Sequence, residues 1–266
     1  MSKVFRQFSV LVLLFFGMWF TLSKFDFVRA FEVEEFTKSN ERRLGRLVLD
    51  GLYSENSALQ SDSVLSFVRG IQARLCAAND IPDSTITLHI LIRGDVNAFA
   101  LPDRQLVVYT GLISYCKNAE EFAGVLAHEI AHIERGHVMK KLVTHVGISM
   151  LMTIAGGDAG PDISRQIVTL LSSTAFDREQ ENEAGAFAVK MMAGANIDPE
   201  HFANFLFRLS QEKNTIPKHF EWISTHTNSQ ERASEVLRLK KSERFDSLAI
   251  ADTAAWASIK RSMRDF

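Results

Sequence analysis

Apolar residues recur every three or four positions through most of this chain, the period of a helix that buries one face. In the charged stretch from Glu32 to Leu52, Phe36, Leu44, Leu47 and Val48 form such a stripe. Ser61-Asp62-Ser63 offers an N-cap for a second helix through Leu65, Val68, Ile71 and Leu75, which Asn79-Asp80-Ile81-Pro82-Asp83 ends. The period then drops to two. Thr85 to Ile92, Val96 to Leu101 and Gln105 to Tyr109 are rich in alternating or β-branched residues and predict three short strands. Thr110-Gly111 turns into a short helix through Leu112 and Tyr115. Asn118 caps the next helix, with Glu120 and Glu121 in its first turn. Nothing in the pattern ends that helix before Lys141. Thr153 to Asp162 holds three glycines and predicts a mobile loop, either a lid or a plain surface connection. Helices follow over Ile163 to Thr174, over Asp177 to Gly194, after Asp198-Pro199, and over Ser229 to Leu239. A loop, Ser224 to Asn228, precedes the last of these. The tail from Lys240 to Phe266 carries only Ala249, Ile250, Trp256 and Ile259 as residues able to dock.

The helix after Asn118 contains His128-Glu129-Ile130-Ala131-His132. Residues four apart share a helix face, so both imidazoles reach one metal ion with Glu129 beside them. This is the H-E-x-x-H spacing of zinc hydrolases, in which zinc acidifies a water and the glutamate takes its proton. Phe122, Val125, Leu126, Ile130 and Ile133 recur at helical spacing around it, as a buried helix requires. A chance meeting of two histidines and a glutamate on a core helix is the alternative, and a third ligand decides against it. Catalytic zinc commonly takes three protein ligands plus water. Arg178-Glu179-Gln180-Glu181-Asn182-Glu183-Ala184 offers three glutamates on a separate helix, and spacing alone does not choose among them.

Composition narrows the field. The 266 residues are 46% hydrophobic with a net charge of −2, enough for one good-sized core and without the basic face that a nucleic-acid partner wants. There is no G-x-x-x-x-G-K segment. Lys3 and Arg6 precede an uncharged run, Phe8 to Leu22. Two export readings compete: a signal peptide cleaved after Ala30 in Val28-Arg29-Ala30, or an uncleaved anchor extended by Phe25, Phe27 and Val28. The anchor is narrowly favoured, and either reading sends the rest of the chain out of the cytoplasm. Cys76 and Cys116 fit one optional disulfide or two buried thiols, and neither lies in a C-x-x-C pair.

Several segments together go further than H-E-x-x-H. They are Asn97-Ala98-Phe99-Ala100-Leu101-Pro102, Val107-Val108-Tyr109-Thr110-Gly111-Leu112, His128 to His132 with His137 following, Arg178 to Ala184, and Ser224-Thr225-His226. In combination they resemble the HtpX/BepA-type zinc metallopeptidases, relatives of the CAAX prenyl endopeptidases and Oma-type proteases, over about residues 62–240. The resemblance selects Glu181 as the third zinc ligand. It places an aspartate four residues later, where it supports a zinc-binding histidine; here that position is Gly185. Losing such a partner typically costs about 10–100-fold in metal affinity or activity. By resemblance Asn97 and Ala98 lie on a strand edge that pairs with substrate backbone, and His226 lies near the metal, where it approaches the zinc or assists at the transition state. His137 reads as structural.

The expectation is an α+β architecture: a mostly helical, zincin-like metallopeptidase domain at 32–240 with a small sheet beside the active-site helix. Residues 1–31 form the anchor or signal, and 241–266 a helical tail. One Zn(2+) per chain would be held by His128, His132 and Glu181, with Glu129 as general base and His226 assisting. Substrates would be proteins or peptides in extended form, and the membrane would be met through the N-terminal segment. The resemblance implies quality control of envelope proteins, with an inner-membrane anchor and periplasmic catalytic domain in a bacterial cell, or secretion to the periplasm if the signal is cleaved. Gly185 motivates a second expectation, a metal-binding but weakly active chaperone-like or scaffold protein.

Overall fold

The computed structural model describes residues 33–158, 161–212, 222, 226 and 228–263, together with Gln7, Val12, Leu13 and Gly17. The N-terminal apolar run otherwise lies outside the described residues, as does the Val28-Arg29-Ala30 cleavage site. The chain divides into two compact units, Met1–Asn40 and Glu41–Phe266, and the candidate site lies wholly within the second.

Helix α1 (Val33–Glu55) buries Leu44 and Val48 of the expected stripe, with Leu47 partly buried and Leu52 added to the core. Helix α2 (Asp62–Ala77) buries Val64, Val68, Ile71 and Leu75. Strands β1 (Thr87–Leu91), β2 (Ala98–Leu101) and β3 (Gln105–Tyr109) form one sheet in the order β1-β3-β2. β3 pairs parallel with β1, Leu88 opposite Leu106, and antiparallel with β2, Ala98 opposite Val108. β2 is therefore an outer strand, yet all four of its residues are buried. A mostly helical α+β domain with a small mixed sheet results, as the sequence predicts.

After the short α3 (Thr110–Tyr115), helix α4 (Ala119–Glu134) runs through the centre of the domain. Asn118 caps it as expected, its Oδ1 accepting from the Glu121 N–H at 2.8 Å. Fifteen residues of α4, from Ala119 to Ile133, are buried. Small residues make this possible: a methyl group on Gly124 would stand 2.5 Å from Phe202 Cβ, so only glycine lets that helix come so close.

The expected continuation to Lys141 does not occur. Gly136 adopts φ 65°, a left-handed conformation that ends α4, and a new helix α5 begins at His137 (His137–Val146). The glycine-rich segment is also more regular than predicted. Helix α6 (Ile148–Thr153) passes into a π-helical turn, Ile154–Asp158, whose Ile154 and Ala155 are buried, and α7 (Pro161–Ser173) starts with proline at its first position. The Arg43 guanidinium ties the turn down by donating to the Ala155 carbonyl at 3.0 Å.

Helix α8 (Arg178–Gly194) opens on a capping box in which the Asp177 carboxylate accepts from the Gln180 N–H and the Gln180 side chain accepts from the Asp177 N–H. It packs against α4, and helices α9 (Glu200–Glu212) and α10 (Ser229–Lys240) complete that layer. The tail docks through α11 (Thr253–Arg261), where buried Trp256 donates its indole N–H to the Cys116 carbonyl. Cys76 and Cys116 are both free and buried. Among the described residues no single helix is long and apolar enough to cross a membrane.

Candidate metal centre

Helix geometry brings His128 and His132 to one face of α4, as their spacing demands, with Nε2 atoms 3.1 Å apart. α8 delivers Glu181 from the opposite side, Oε2 3.6 Å from His128 Nε2 and Oε1 3.4 Å from His132 Nε2. His226 closes the group, its Nδ1 3.2 Å from His128 Nε2 and 2.7 Å from Glu181 Oε1. All four residues are buried, with potential ligand atoms within 4.8 Å of one another. Four donors at bond lengths of about 2.0–2.1 Å around a tetrahedral zinc ion stand about 3.3 Å apart. The spacings here bracket that value, and the donor set of imidazoles and a carboxylate suits zinc. Glu181 Oε2 and His226 Nε2 are buried and make ion-pair contacts, 2.8 Å to Arg232 Nη1 and 3.2 Å to Glu129 Oε1, without well-aligned hydrogen bonds. The residues present therefore fit a metal ion.

A sequence profile for Peptidase family M48 matches residues 67–240, which include every one of these side chains. The chain belongs to peptidase family M48. Its relatives include the mitochondrial metalloendopeptidase OMA1 of Schizosaccharomyces pombe, 27% identical over 216 residues that cover 74% of this chain and 64% of that protein. The putative beta-barrel assembly-enhancing protease of Vibrio cholerae is 28% identical over 214 residues, covering 72% of this chain and 44% of the relative. The bovine mitochondrial metalloendopeptidase OMA1 is 28% identical over 205 residues, 70% of this chain and 39% of the relative. The chain spans less than two thirds of the length of each of these relatives.

Electrostatics in this M48 site hold the candidate ligands in metal-binding form. Burial, aided by the Arg232 charge, lowers His128 to about 3, and burial lowers His132 as well, so both rings are neutral. Burial alone would raise the Glu181 carboxyl, but His226 and Arg232 hold it well below the usual carboxylate range. Neutral imidazoles and ionised carboxylates are the forms that ligate. Glu129 behaves similarly: burial opposes ionisation, yet the His226 charge and hydrogen bond bring its carboxyl down to about 2. The Glu129 Oε1 accepts from the Trp222 indole N–H at 3.1 Å and lies 3.2 Å from His226 Nε2, while its Oε2 is buried without a partner.

Asn97 and Ala98 lie at the start of the outer strand β2, where a substrate edge would depend on backbone rather than on these side chains. Both side chains are fully buried, and Asn97 donates to the Ser172 carbonyl at 3.2 Å. Next to them, the Val96 carbonyl accepts from the Trp222 N–H, so that backbone atom of the strand edge is already engaged.

Two participants escaped the sequence reading. Trp222 stacks on His226 with ring centroids 4.4 Å apart and holds Glu129. The signal was its position four residues before His226, one helical turn away, since the His226 N–H bonds the Trp222 carbonyl. Arg232 places Nη1 2.8 Å from Glu181 Oε2, and Nη2 3.3 Å from His128 Nδ1. It falls in the buried stripe Ser229, Arg232, Ala233, Val236, and a charge in such a stripe announces a buried partner. His137, read as structural, puts Nδ1 3.0 Å from His132 Nδ1.

Gly185 leaves open space: a Cβ there would meet nothing within 4 Å. A gap of about 10 Å³ lies beside it, bordered by Glu181 and Arg232. Glu183 does not fill that gap. It reaches His137 on the other side of the site, with Oε2 3.3 Å from His137 Nε2.

Proposed function

We propose that this chain is a zinc-dependent endopeptidase that cleaves extended or unfolded stretches of proteins. The observation that carries the reading is the meeting of His128, His132 and Glu181 around one point with the free oxygen of Glu129 beside it. His128, His132 and Glu181 would hold the ion, which when bound supplies a Lewis acid that lowers the pKa of an attacking water toward neutrality and polarises the scissile carbonyl. Glu129 is the general base. Trp222 holds its Oε1, which leaves Oε2 as the atom that takes the proton from water and passes it to the leaving amine. His226 Nε2 stands on the same side as Glu129, placed to donate to negative charge developing on the carbonyl oxygen. Substrate pairs with the outer edge of β2 around Asn97 and Ala98, reading backbone rather than side chains, and in doing so takes the place of the Trp222 N–H at Val96.

The N-terminal pattern and the kinship with mitochondrial metalloendopeptidases and beta-barrel assembly-enhancing proteases support work in an envelope or organelle membrane system. For this chain we favour a bacterial inner-membrane anchor with the catalytic unit in the periplasm, acting on misfolded envelope proteins. A second reading, a metal-binding scaffold of low activity, rests on the open space at Gly185 and on the guanidinium that faces His128. Zinc-loaded full chain is expected to cleave an unfolded casein, and Glu129→Gln to lower the rate about 10²–10⁴-fold while still binding zinc. Equal rates in the two proteins would favour the scaffold.

A further inference from the structure

We infer that His137 and Glu183 form a hydrogen-bond chain that fixes the tautomer and ring orientation of His132; the inference rests on the zinc reading above. The chain runs from His132 Nδ1 to His137 Nδ1 at 3.0 Å, and from His137 Nε2 to Glu183 Oε2 at 3.3 Å. A neutral imidazole has one N–H and one lone pair. To offer the Nε2 lone pair to a metal, His132 must carry its proton on Nδ1. That N–H donates to His137 Nδ1, so the His137 proton belongs on Nε2, where it donates to the Glu183 carboxylate.

The far end of the chain demands the same direction independently. An ionised carboxylate only accepts. If His137 donated from Nδ1 instead, its Nε2 lone pair would face the lone pairs of Glu183. The metal end and the carboxylate end thus agree on one arrangement of protons.

Local structure explains why a residue five positions past His132 returns to it. In an unbroken helix His137 would point about 140° away from His132. The left-handed turn at Gly136 redirects the backbone, and His137 becomes the first residue of α5 with its ring buried against His132. Phe176 stacks on His132 with ring centroids 3.9 Å apart, so the ring is also confined by packing. Glu183 is itself held by Arg135, Nε 3.3 Å from Oε1. His137 and Glu183 are positioning residues: they act through His132.

The test uses the full chain, stripped of metal and titrated with zinc against a chromophoric chelator. Glu183→Ala is expected to weaken zinc binding about 10–100-fold. Glu183→Gln, whose amide oxygen still accepts from His137, is expected to stay close to wild type. His137→Phe removes the acceptor and should weaken binding as Glu183→Ala does. Glu183 is 46% exposed at its side chain, so its variants leave the fold intact even if His137→Phe does not. Wild-type affinity in Glu183→Ala, or equal losses in the Ala and Gln variants, would overturn the chain. A wild-type protein that takes up no zinc would instead overturn the metal reading itself, so the two failures are distinguishable.

Discussion

The two histidines of α4 share a helix, a burial and a direction, yet what stands behind them is opposite in kind. Behind His132 is a sequence of acceptors that ends in a carboxylate, with Phe176 stacked on the ring. Against the edge of His128 lies a guanidinium, a group that only donates, Nη2 3.1 Å from Nε2 and 3.3 Å from Nδ1, with Phe202 and Trp222 packed around the ring. A metal-ligating His128 carries its proton on Nδ1, where the Arg232 N–H offers it no acceptor. The resemblance places an aspartate at the position of Gly185, beside Glu181 and Arg232, where this chain has only open space. On the proposed reading, one candidate ligand is held by an orienting hydrogen-bond chain and the other by packing without an acceptor behind it.

The sharpest way to break this comparison is to remove the cation. Arg232 balances Glu181 in the metal-free protein, with Nη1 2.8 Å from Oε2. Arg232→Met should cost about 3–5 kcal/mol in metal-free protein, because a buried carboxylate loses its partner. Bound zinc supplies that positive charge, so the loss should shrink greatly in the zinc-loaded form. Denaturant unfolding with and without zinc checks this; equal losses in both would show that Arg232 does not serve Glu181.

Next in size is Gly185→Asp, which restores the carboxylate that the resemblance places in support of a zinc-binding histidine, here expected to serve His128. Zinc affinity should rise about 10–100-fold, worth about 1.4–2.7 kcal/mol, with the peptidase rate following. An unchanged affinity and rate would mean that His128 needs no orienting partner. Gly124→Ala then probes the packing that His128 depends on. The new methyl would push Phe202 away from α4, at a cost of about 1–2 kcal/mol in stability measured by urea unfolding. Zinc affinity should fall with it, since Phe202 lies against the His128 ring; a stable variant with intact affinity would contradict the packing account.

The smallest effect belongs to the His132 side. Lys141 sits over the Phe176 ring and donates to the carbonyls of Leu171 and Thr174, and burial lowers its ammonium from 10.5 to about 8. Between those two values the unfolded chain holds a proton that the folded chain has shed, so stability rises with pH across that window. Relative to Lys141→Met, the wild-type protein should gain about 1 kcal/mol between pH 8 and pH 9, by denaturant titration at both. A pH-independent difference would contradict it.

What the sequence carried, and what it did not, divides along the same line. Leu44 and Val48 in α1, and Val68, Ile71 and Leu75 in α2, were legible because burial imposes a period. His128, Glu129 and His132 were legible because their chemistry is local to one helix turn. The break at Gly136 was missed because a lone glycine inside an apolar pattern is compatible with helix, and only the left-handed φ reveals the stop. Glu181 was one of three glutamates until the resemblance chose it, since its role depends on how α8 lies against α4. Arg232, Trp222 and the His137–Glu183 contact all join segments distant in sequence, and local pattern is silent about such meetings.

X-ray absorption at the zinc edge of the loaded full chain tests the central claim most directly. The account predicts one zinc per chain, a nearest shell of nitrogen and oxygen at about 2.0–2.2 Å, and outer scattering from at least two imidazole rings that disappears in part when His132 is replaced by alanine. A shell containing sulfur at about 2.3 Å, or one without imidazole scattering, would contradict it.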